Sequence, residues 1–389
     1  MSNLNSNTFY IEPEDVVFFK DAGSFNLGED DYAISMFPPN PSVVYGALQS
    51  IAYSGSGNGN DPDQKTVYPV SDLVVNSISV TVIENGIKKE LFPLPDDLVI
   101  DTINTEEKIN GYLSPFESKN LCSAGLFNDR MGVLQLLTKT RVNEEIDGEP
   151  KIGRLGLYFD REGLLKYLNG ELPGVYYAIS KYITFETRVG LGRNVDTRIA
   201  KEGALYTIKV IRTSSINNSF QLSQVGFNVT FSTSHELLQY KEGKKFKIRF
   251  GGERKLASCI SIIPFKIPPI NFVKDDIIKA YFITPGIYTD WSLKKYFENN
   301  GLEVFAIANK KAQHIGGWDI AARRPKPTFK AIPQGAVFFL KISDYGKAIA
   351  LQNTGAHCIV SSDMVPADCI AHNQGFGIFF LSKSIKSKN

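Results

Sequence analysis

Short strand-like runs outnumber helix-like ones along this chain, and this imbalance most limits the folds open to it. Runs rich in Val, Ile, Phe and Tyr, bounded by polar or glycine-containing turns, are typical of β-strands. With 389 residues and 43% apolar composition, the chain can bury a substantial core, and its length favours two domains. The sequence therefore predicts an α+β fold with two units of similar pattern. The main predicted strands are FYIEPEDVVFFKD, YYAISKYITFETRVGLG, ALYTIKVIR, GFNVTF, KKFKIRF, KAYFIT, EVFAIA, AVFFLKI and GIFFLS.

A few short helices are predicted from capping and periodicity. Asn40 is a good N-cap and a proline follows it, so a helix is expected over residues 41–53. A second helix is expected over REGLLKYLNG, closed by Gly170, and a third over SLKKYFENNG, started by Ser292. A shorter one is expected near SHELLQY.

The segment from about residue 60 to 150 is acidic and differs in pattern from the rest. It combines short β-rich pieces with irregular stretches, and its Asn85-Gly86 pair is a hairpin signal. A Gly/Ser/Asn run from Gly55 to Asn60 predicts a mobile loop just before it. We expect an insertion here in the first of two domains, which are predicted to span residues 1–190 and 191–389.

Charge is distributed unevenly between the two parts of the chain. The total is only +2, but residues 1–240 carry 20 Lys/Arg and 30 Asp/Glu, a net charge of −10. Residues 241–389 carry 23 and 11, a net charge of +12. This asymmetry suits a protein that meets a polyanion with one surface and basic protein partners with another. Charges spread over solvated faces remain an alternative.

Several classes of protein are disfavoured by what the sequence lacks. No apolar stretch is long enough to span a membrane, and the start of the chain does not resemble a secretory signal, so we expect a cytoplasmic protein without a membrane partner. Cys122 and Cys259 are each alone in the sequence and are expected to be reduced thiols. No G-x-S-x-G, H-E-x-x-H or Walker lysine loop occurs, and we expect no catalytic residue and no cofactor. Zinc held by His357, Cys358, Cys369 and His372 is a weak alternative.

Stretches that combine cations with glycine or proline are candidates for contact with phosphates. Glycines let a backbone approach a ligand closely, a helix N-terminus favours an anion, and prolines stiffen a chain that presents charges. An ordinary hairpin turn or a solvated loop explains several of these stretches equally well. The residues are Ser42 at a helix start; Arg188, Arg193 and Arg198 in a glycine-containing loop; Gly251, Gly252, Arg254 and Lys255; Arg323, Arg324, Lys326 and Lys330 around two prolines; and Gly375, Phe376 and Gly377.

These stretches occur together, in this order, in one known family. The chain resembles the third subunit of the type III-B (Cmr) CRISPR effector complex, a RAMP protein, and the similarity extends over nearly its whole length. The block from Trp318 to Gly335 is the most specific part, and the segment from about 60 to 150 matches least well. The motifs that carry the resemblance are IEPEDVVFFKDAGSF, FPPNPSVVYGALQS, RVGLG, EGALYTIKV, FGGERK, YFITPGIY, GGWDIAARRPKPTFKAIPQGAVFF and GFGIFFL.

The resemblance implies two ferredoxin-like (RRM-like) RAMP domains and a non-catalytic role. In that family the subunit holds the repeat-derived 5′ tag of the guide RNA (crRNA) and docks on the large polymerase/cyclase-like subunit and on a backbone RAMP subunit, meeting target RNA only indirectly. The RNA-binding residues it implies here include Lys20, where the family usually has arginine, as well as Tyr45 and Gly46, Trp318, and the Gln374–Gly377 loop. The alternative is an endoribonuclease that processes precursor crRNA, with His314 as its acid or base.

Overall fold

The protein is an α+β structure dominated by sheets. The computed structural model describes residues 5–23, 32–55, 70, 72–103, 106–115, 137–141, 151–152, 155–194, 197, 199–216, 222–235, 238, 242–253, 255–274, 276–288, 292–319, 324–353 and 373–385. The chain forms two compact units that interleave along the sequence: unit 1 is 1–88, 180–264 and 314–330, and unit 2 is 89–179, 265–313 and 331–389. Segments of both predicted domains, 1–190 and 191–389, occur in each unit, so their assignment stays a prediction.

Four α-helices and twenty-five strands lie within the described residues. The helices are α1 (Pro41–Gly55), α2 (Arg161–Leu168), α3 (Ser292–Asn299) and α4 (Tyr345–Asn353). The strands are β1 (Asn5–Pro13), β2 (Val16–Val17), β3 (Tyr32–Ile34), β4 (Val74–Glu84), β5 (Ile87–Pro93), β6 (Leu98–Ile103), β7 (Glu106–Pro115), β8 (Leu137–Arg141), β9 (Lys151–Ile152), β10 (Leu157–Asp160), β11 (Tyr177–Ala178), β12 (Thr184–Arg193), β13 (Ala200–Arg212), β14 (Ser214–Ile216), β15 (Leu222–Thr233), β16 (Lys245–Arg249), β17 (Leu256–Ile262), β18 (Ile277–Phe282), β19 (Leu302–Ala308), β20 (Gln313–Ile315), β21 (Trp318–Asp319), β22 (Arg324–Pro325), β23 (Phe329–Ala331), β24 (Val337–Ile342) and β25 (Phe379–Lys383).

Unit 1 is built on an antiparallel arrangement in the order β4-β15-β1-β17-β16. Phe9 pairs with Val229 on one side and with Ser261 on the other, which fixes the register of β1 at the centre. Because side chains alternate along a strand, one face gathers the large apolar residues. Phe9 and Phe231 meet edge to face with ring centroids 4.8 Å apart, and both are fully buried. This face forms a core of unit 1.

A second, smaller sheet of unit 1 places β13 between β12 and β2, with β3 running parallel to β13. Its inner face carries a compact apolar cluster of Val16, Phe18, Ala33, Ile208 and Val210. Short connections from β2 and β3 therefore lie close to the middle of β13, where several of the predicted site residues are found.

Unit 2 contains the antiparallel sheet β19-β24-β18-β25 and a four-stranded sheet β8-β7-β6-β9. Aromatic rings from the first sheet and from α3 interlock: the centroids of Phe282 and Phe379 lie 5.1 Å apart, and those of Phe297 and Phe379 lie 5.3 Å apart. Such large buried rings supply most of the apolar area of a core. Helix α2 begins at Asp160, whose carboxylate accepts the N–H of Gly163 at 3.0 Å.

A fully buried ion pair lies inside unit 2. Lys279 Nζ donates to Asp97 Oδ2 at 3.0 Å, and both side chains are only 1% exposed. Tyr167 Oη donates to Asp97 Oδ1 at 2.7 Å, and the Lys279 ammonium lies 3.8 Å from the centroid of the Tyr167 ring. Burial lowers the pKa of Lys279, while Asp97 opposes this effect. One carboxylate thus ties β18 to α2 through two charge-assisted contacts.

Most local predictions are confirmed. Helices α1, α2 and α3 lie where they are expected, and Asn85 and Gly86 form the turn between β4 and β5 with φ of 55° and 77°. Helix α4 was not predicted from the sequence. The SHELLQY helix falls partly outside the described residues, as does the Gly55–Asn60 loop beyond the end of α1.

Two predictions are wrong in part. The proposed insertion at 60–150 contains β4, which pairs with β15 along its length, so that residues 74–84 belong to the unit 1 sheet. The glycine-containing loop proposed around Arg188 is instead the strand β12, because Gly190 lies directly opposite Tyr206 of β13, whose ring occupies the place of a side chain.

Candidate nucleic-acid interface

Residues 18–23 of unit 1 form a short extended segment after β2 that carries Lys20. A β-bridge joins Lys20 to Ser35, and Ser35 Oγ accepts the N–H of Phe19 at 3.2 Å. The Lys20 ammonium donates to the carbonyl of Gly23, and Asp21 Oδ1 accepts the Gly23 N–H at 3.2 Å. The backbone around this half-buried lysine is thus held from both sides.

The Gly251-Gly252 turn packs directly on this segment. The Phe250 N–H donates to the carbonyl of Lys255 at 2.9 Å, which confirms the hairpin-turn alternative for these residues. Gly252 N–H donates to the carbonyl of Phe18 at 2.8 Å, and a Cβ on Gly251 would lie 2.8 Å from the same oxygen. The close approach that the two glycines permit is therefore to the protein's own chain. Lys255 is half-buried, and Arg254 lies outside the described residues.

The cation-rich stretch after His314 reaches the same segment from another direction. Strands β21 and β22 pair through Trp318 and Pro325, and the Lys326 N–H donates to the carbonyl of Gly317 at 2.9 Å. A Cβ on Gly316 would lie 3.2 Å from Ala22 Cβ and 3.3 Å from Thr328 Oγ1. The prolines therefore belong to a paired turn and not to an isolated polyproline rod. Lys326 is half-buried and Lys330 is exposed.

Three sequence-predicted segments thus meet in unit 1. We define the junction as residues 18–23, 251–255 and 316–328, and by sequence it holds six cations and three carboxylates. The side chains of Trp318, Arg323 and Arg324 lie outside the described residues. Sequence reasoning missed the part played by Gly316, although the Gly316-Gly317 pair was a signal for close backbone approach.

Helix α1 shows which of its predicted residues face outward. Tyr45 is buried, and its Oη accepts a hydrogen bond from Gln49 Nε2 at 2.9 Å. Gly46 is exposed, with open space where a Cβ would stand, and Ser42 is half-buried. Asn40 is buried before the first turn, and its backbone carbonyl accepts the N–H of Val43 at 2.9 Å. Tyr45 is thus an interior residue.

Arg188 belongs to an ion-pair group on β12 and β13. Its guanidinium lies 3.7 Å from Asp15 and 3.5 Å from Glu186, which also pairs with Arg212. The hydrogen bond from Arg212 lowers the pKa of the Glu186 carboxyl. Arg188 is therefore engaged by carboxylates, while the side chains of Arg193 and Arg198 lie outside the described residues.

The Gln374–Gly377 loop lies in unit 2. Gly375 and Gly377 have φ of 90° and 72°, values that favour glycine. Thr284 Oγ1 donates to the carbonyl of Gly375 at 2.8 Å, and the Gly377 N–H donates to the carbonyl of Pro285 at 2.8 Å. Phe376 and Gln374 are buried. The Phe376 ring is thus not presented to a base, contrary to the expectation from the sequence, since the loop folds back onto the residues after β18.

Other candidate chemistry finds little support within the described residues. His314 is exposed on β20. No cluster of three or more His, Cys, Asp or Glu side chains that could hold a metal occurs in this part of the chain, and the proposed zinc ligands 357, 358, 369 and 372 lie outside it. Cys259 is buried as a thiol, and burial raises its pKa. No helix in the described ranges is long and apolar enough to cross a membrane.

Comparison with known proteins gives one family over most of the chain. Residues 9–357 match the family described as CRISPR-associated protein (Cas_Cmr3). No curated protein matches. A chain of Type III-B Cmr-beta bound to cognate target RNA and AMPPnP, state 1, is similar at 16% identity and a TM-score of 0.44, over 89% of this chain and 88% of that one. A chain of Type III-B Cmr-beta bound to cognate target RNA is similar at 17% identity and a TM-score of 0.44, over 89% of each.

The family match confirms the resemblance to the third Cmr subunit that the sequence motifs indicate. It includes residues 18–23, 251–255 and 316–328, and so all three segments of the junction. The chain belongs to the Cas_Cmr3 family of CRISPR-associated proteins.

Proposed function

We propose that this protein is a non-catalytic RNA-binding subunit of a type III-B CRISPR effector complex, and that it anchors the 5′ tag of crRNA. The observation that carries the proposal is the junction, where Lys20, the Gly251-Gly252 turn and the Lys326 turn meet in a chain of this family. Single-stranded RNA is held by phosphate contacts and by splayed bases, and the junction combines cations with closely packed backbone.

The remaining parts of the proposal concern architecture and partners. We assign the chain two ferredoxin-like (RRM-like) RAMP domains, in keeping with its α+β composition and its family. The partners are crRNA, the large polymerase/cyclase-like subunit and a backbone RAMP subunit, with target RNA met indirectly. The acidic character of residues 1–240 and the basic character of residues 241–389 suit a chain that contacts both protein and RNA. Its place is the cytoplasm, where the crRNA is made.

Removing two lysines of the third cation-rich stretch should weaken tag binding. Lys326→Ala with Lys330→Ala is expected to lower the affinity for a labelled tag oligoribonucleotide about tenfold, and to reduce the slope of log affinity against log salt by about 1. The slope falls because a phosphate that no lysine neutralises keeps its counterions when the protein binds. Affinity is measured by fluorescence anisotropy at several salt concentrations.

The matched control removes two exposed lysines of unit 2, Lys274 and Lys347. This control should leave both affinity and slope close to those of the wild type. Equally weakened binding in the two double variants would mean that only net charge matters, which contradicts a located site. Sequence-specific cleavage of labelled precursor crRNA that disappears in His314→Ala would overturn the non-catalytic assignment.

A further inference from the structure

The smaller sheet of unit 1 leaves one face covered with exposed apolar side chains. Val189 is 66% exposed and Leu205 is 58% exposed. Single exposed apolar residues are normal, but a group of them on one surface marks a site of interaction. We call this surface the apolar face and define it by Tyr32, Ile34, Phe185, Val189, Leu191 and Leu205, each at least 40% exposed.

Strand register puts these residues on the same side of the sheet. Residues paired across antiparallel strands point to the same face, as do residues two apart in one strand. Leu191 pairs with Leu205 and Val189 pairs with Thr207, which in turn lies beside Tyr32 of β3. The intervening residues, such as Ala33 and Ile208, point into the inner cluster. The apolar face is therefore continuous across β12, β13 and β3.

Charges on this sheet are sorted by face. Glu186 and Arg188 pair with Val210 and Ile208, and so lie on the inner side with their ion-pair partners. Among the described side chains of β3, β12 and β13 on the apolar face, Lys209 is the charged one, and its ammonium lies 5.2 Å from the Phe185 ring centroid. The face thus presents aliphatic surface with a cation at one side.

We infer that the apolar face docks an aliphatic surface of another protein subunit, with a carboxylate of that subunit near Lys209. The inference rests on the proposed function as part of a complex and adds the place of docking. Bases stack on aromatic rings, and phosphates need several cations. Four of the six defining residues are aliphatic and one described cation is present, so the chemistry fits a protein and not RNA.

The test removes apolar surface without touching the core. Val189→Ser with Leu205→Ser, in the full chain co-expressed with the other subunits of its complex, should reduce its incorporation about tenfold, as native mass spectrometry of the purified complex would show. The isolated variant should bind the labelled tag oligoribonucleotide within about twofold of the wild type, because the junction is unchanged. Leu222→Ser with Ile263→Ser is the matched control, since these residues are 57% and 68% exposed and lie elsewhere in unit 1.

A photo-crosslinking residue at position 189 identifies the occupant directly. A crosslink to a peptide of another subunit supports the inference. Crosslinks to RNA, to a second copy of this chain or to its own residues overturn it, as does normal incorporation of the Val189/Leu205 double variant. Thermal unfolding of that variant checks that the sheet is intact. Loss of tag binding with normal incorporation in the Lys326/Lys330 variant would separate a failure here from a failure of the proposed function.

Discussion

Replacing Lys279 with methionine is expected to lower the free energy of unfolding by about 3–5 kcal/mol. Lys279 and Asp97 are both almost completely buried and 3.0 Å apart, so methionine would leave the carboxylate without its cation in a site that water does not reach. Tyr167 would remain as a donor to Asp97 at 2.7 Å, but a neutral hydroxyl offsets only part of that charge.

Chemical denaturation of the full chain measures the effect. Lys294→Met is the control, because Lys294 makes a partly exposed pair with Glu298 at 3.6 Å and should cost less than about 1 kcal/mol. Adding Asp97→Asn to Lys279→Met should recover part of the stability, since the unpaired charge is then removed. A double variant as unstable as the single one, or a destabilisation no larger than that of Lys294→Met, would contradict this account.

Replacing Gly251 with alanine is expected to cost about 2–3 kcal/mol and to weaken tag binding. Gly251 has a φ of 81°, which an alanine adopts only with strain, and the added Cβ would lie 2.8 Å from the carbonyl oxygen of Phe18. The clash is with backbone, so that the turn must move away from residues 18–23 and the junction opens.

Gly243→Ala separates backbone strain from the clash. Gly243 has a similar φ of 78° but open space where a Cβ would stand, and it lies in the same unit. We expect a destabilisation of about 1 kcal/mol with unchanged tag affinity for this control. Unfolding midpoints and anisotropy titrations are compared for the two variants. Equal effects of Gly251→Ala and Gly243→Ala on both measurements would show that contact with Phe18 is unimportant.

Local signals in the sequence predicted local structure well. Pro41 after Asn40, and Gly170 with its φ of 80°, mark the start of α1 and the end of α2 because capping depends on a few neighbouring residues. The Asn85-Gly86 turn follows from the same kind of rule, since both residues tolerate positive φ. Helix α4 lacks such signals, and its ends are held by interactions that no short window of sequence contains.

Long-range arrangement was beyond the sequence. The contact of Gly252 with Phe18, and that of Gly316 with Ala22, join positions far apart in the chain, so their convergence depends on sheet order. Arg188 was interpreted as a loop cation because its partner strand could not be identified. Lys279 stands in the otherwise apolar run IIKAYF, which hinted at burial but could not name Asp97 as its partner.

The position of β15 between β4 and β1 has a consequence for synthesis of the chain. Both of these strands leave the ribosome before residues 85–221, and β15 is made only afterwards. Until then their edges have no neighbour, and unpaired edges invite association with other chains. We expect nascent chains shorter than about 233 residues to depend on chaperones, and a fragment ending at residue 190 to aggregate.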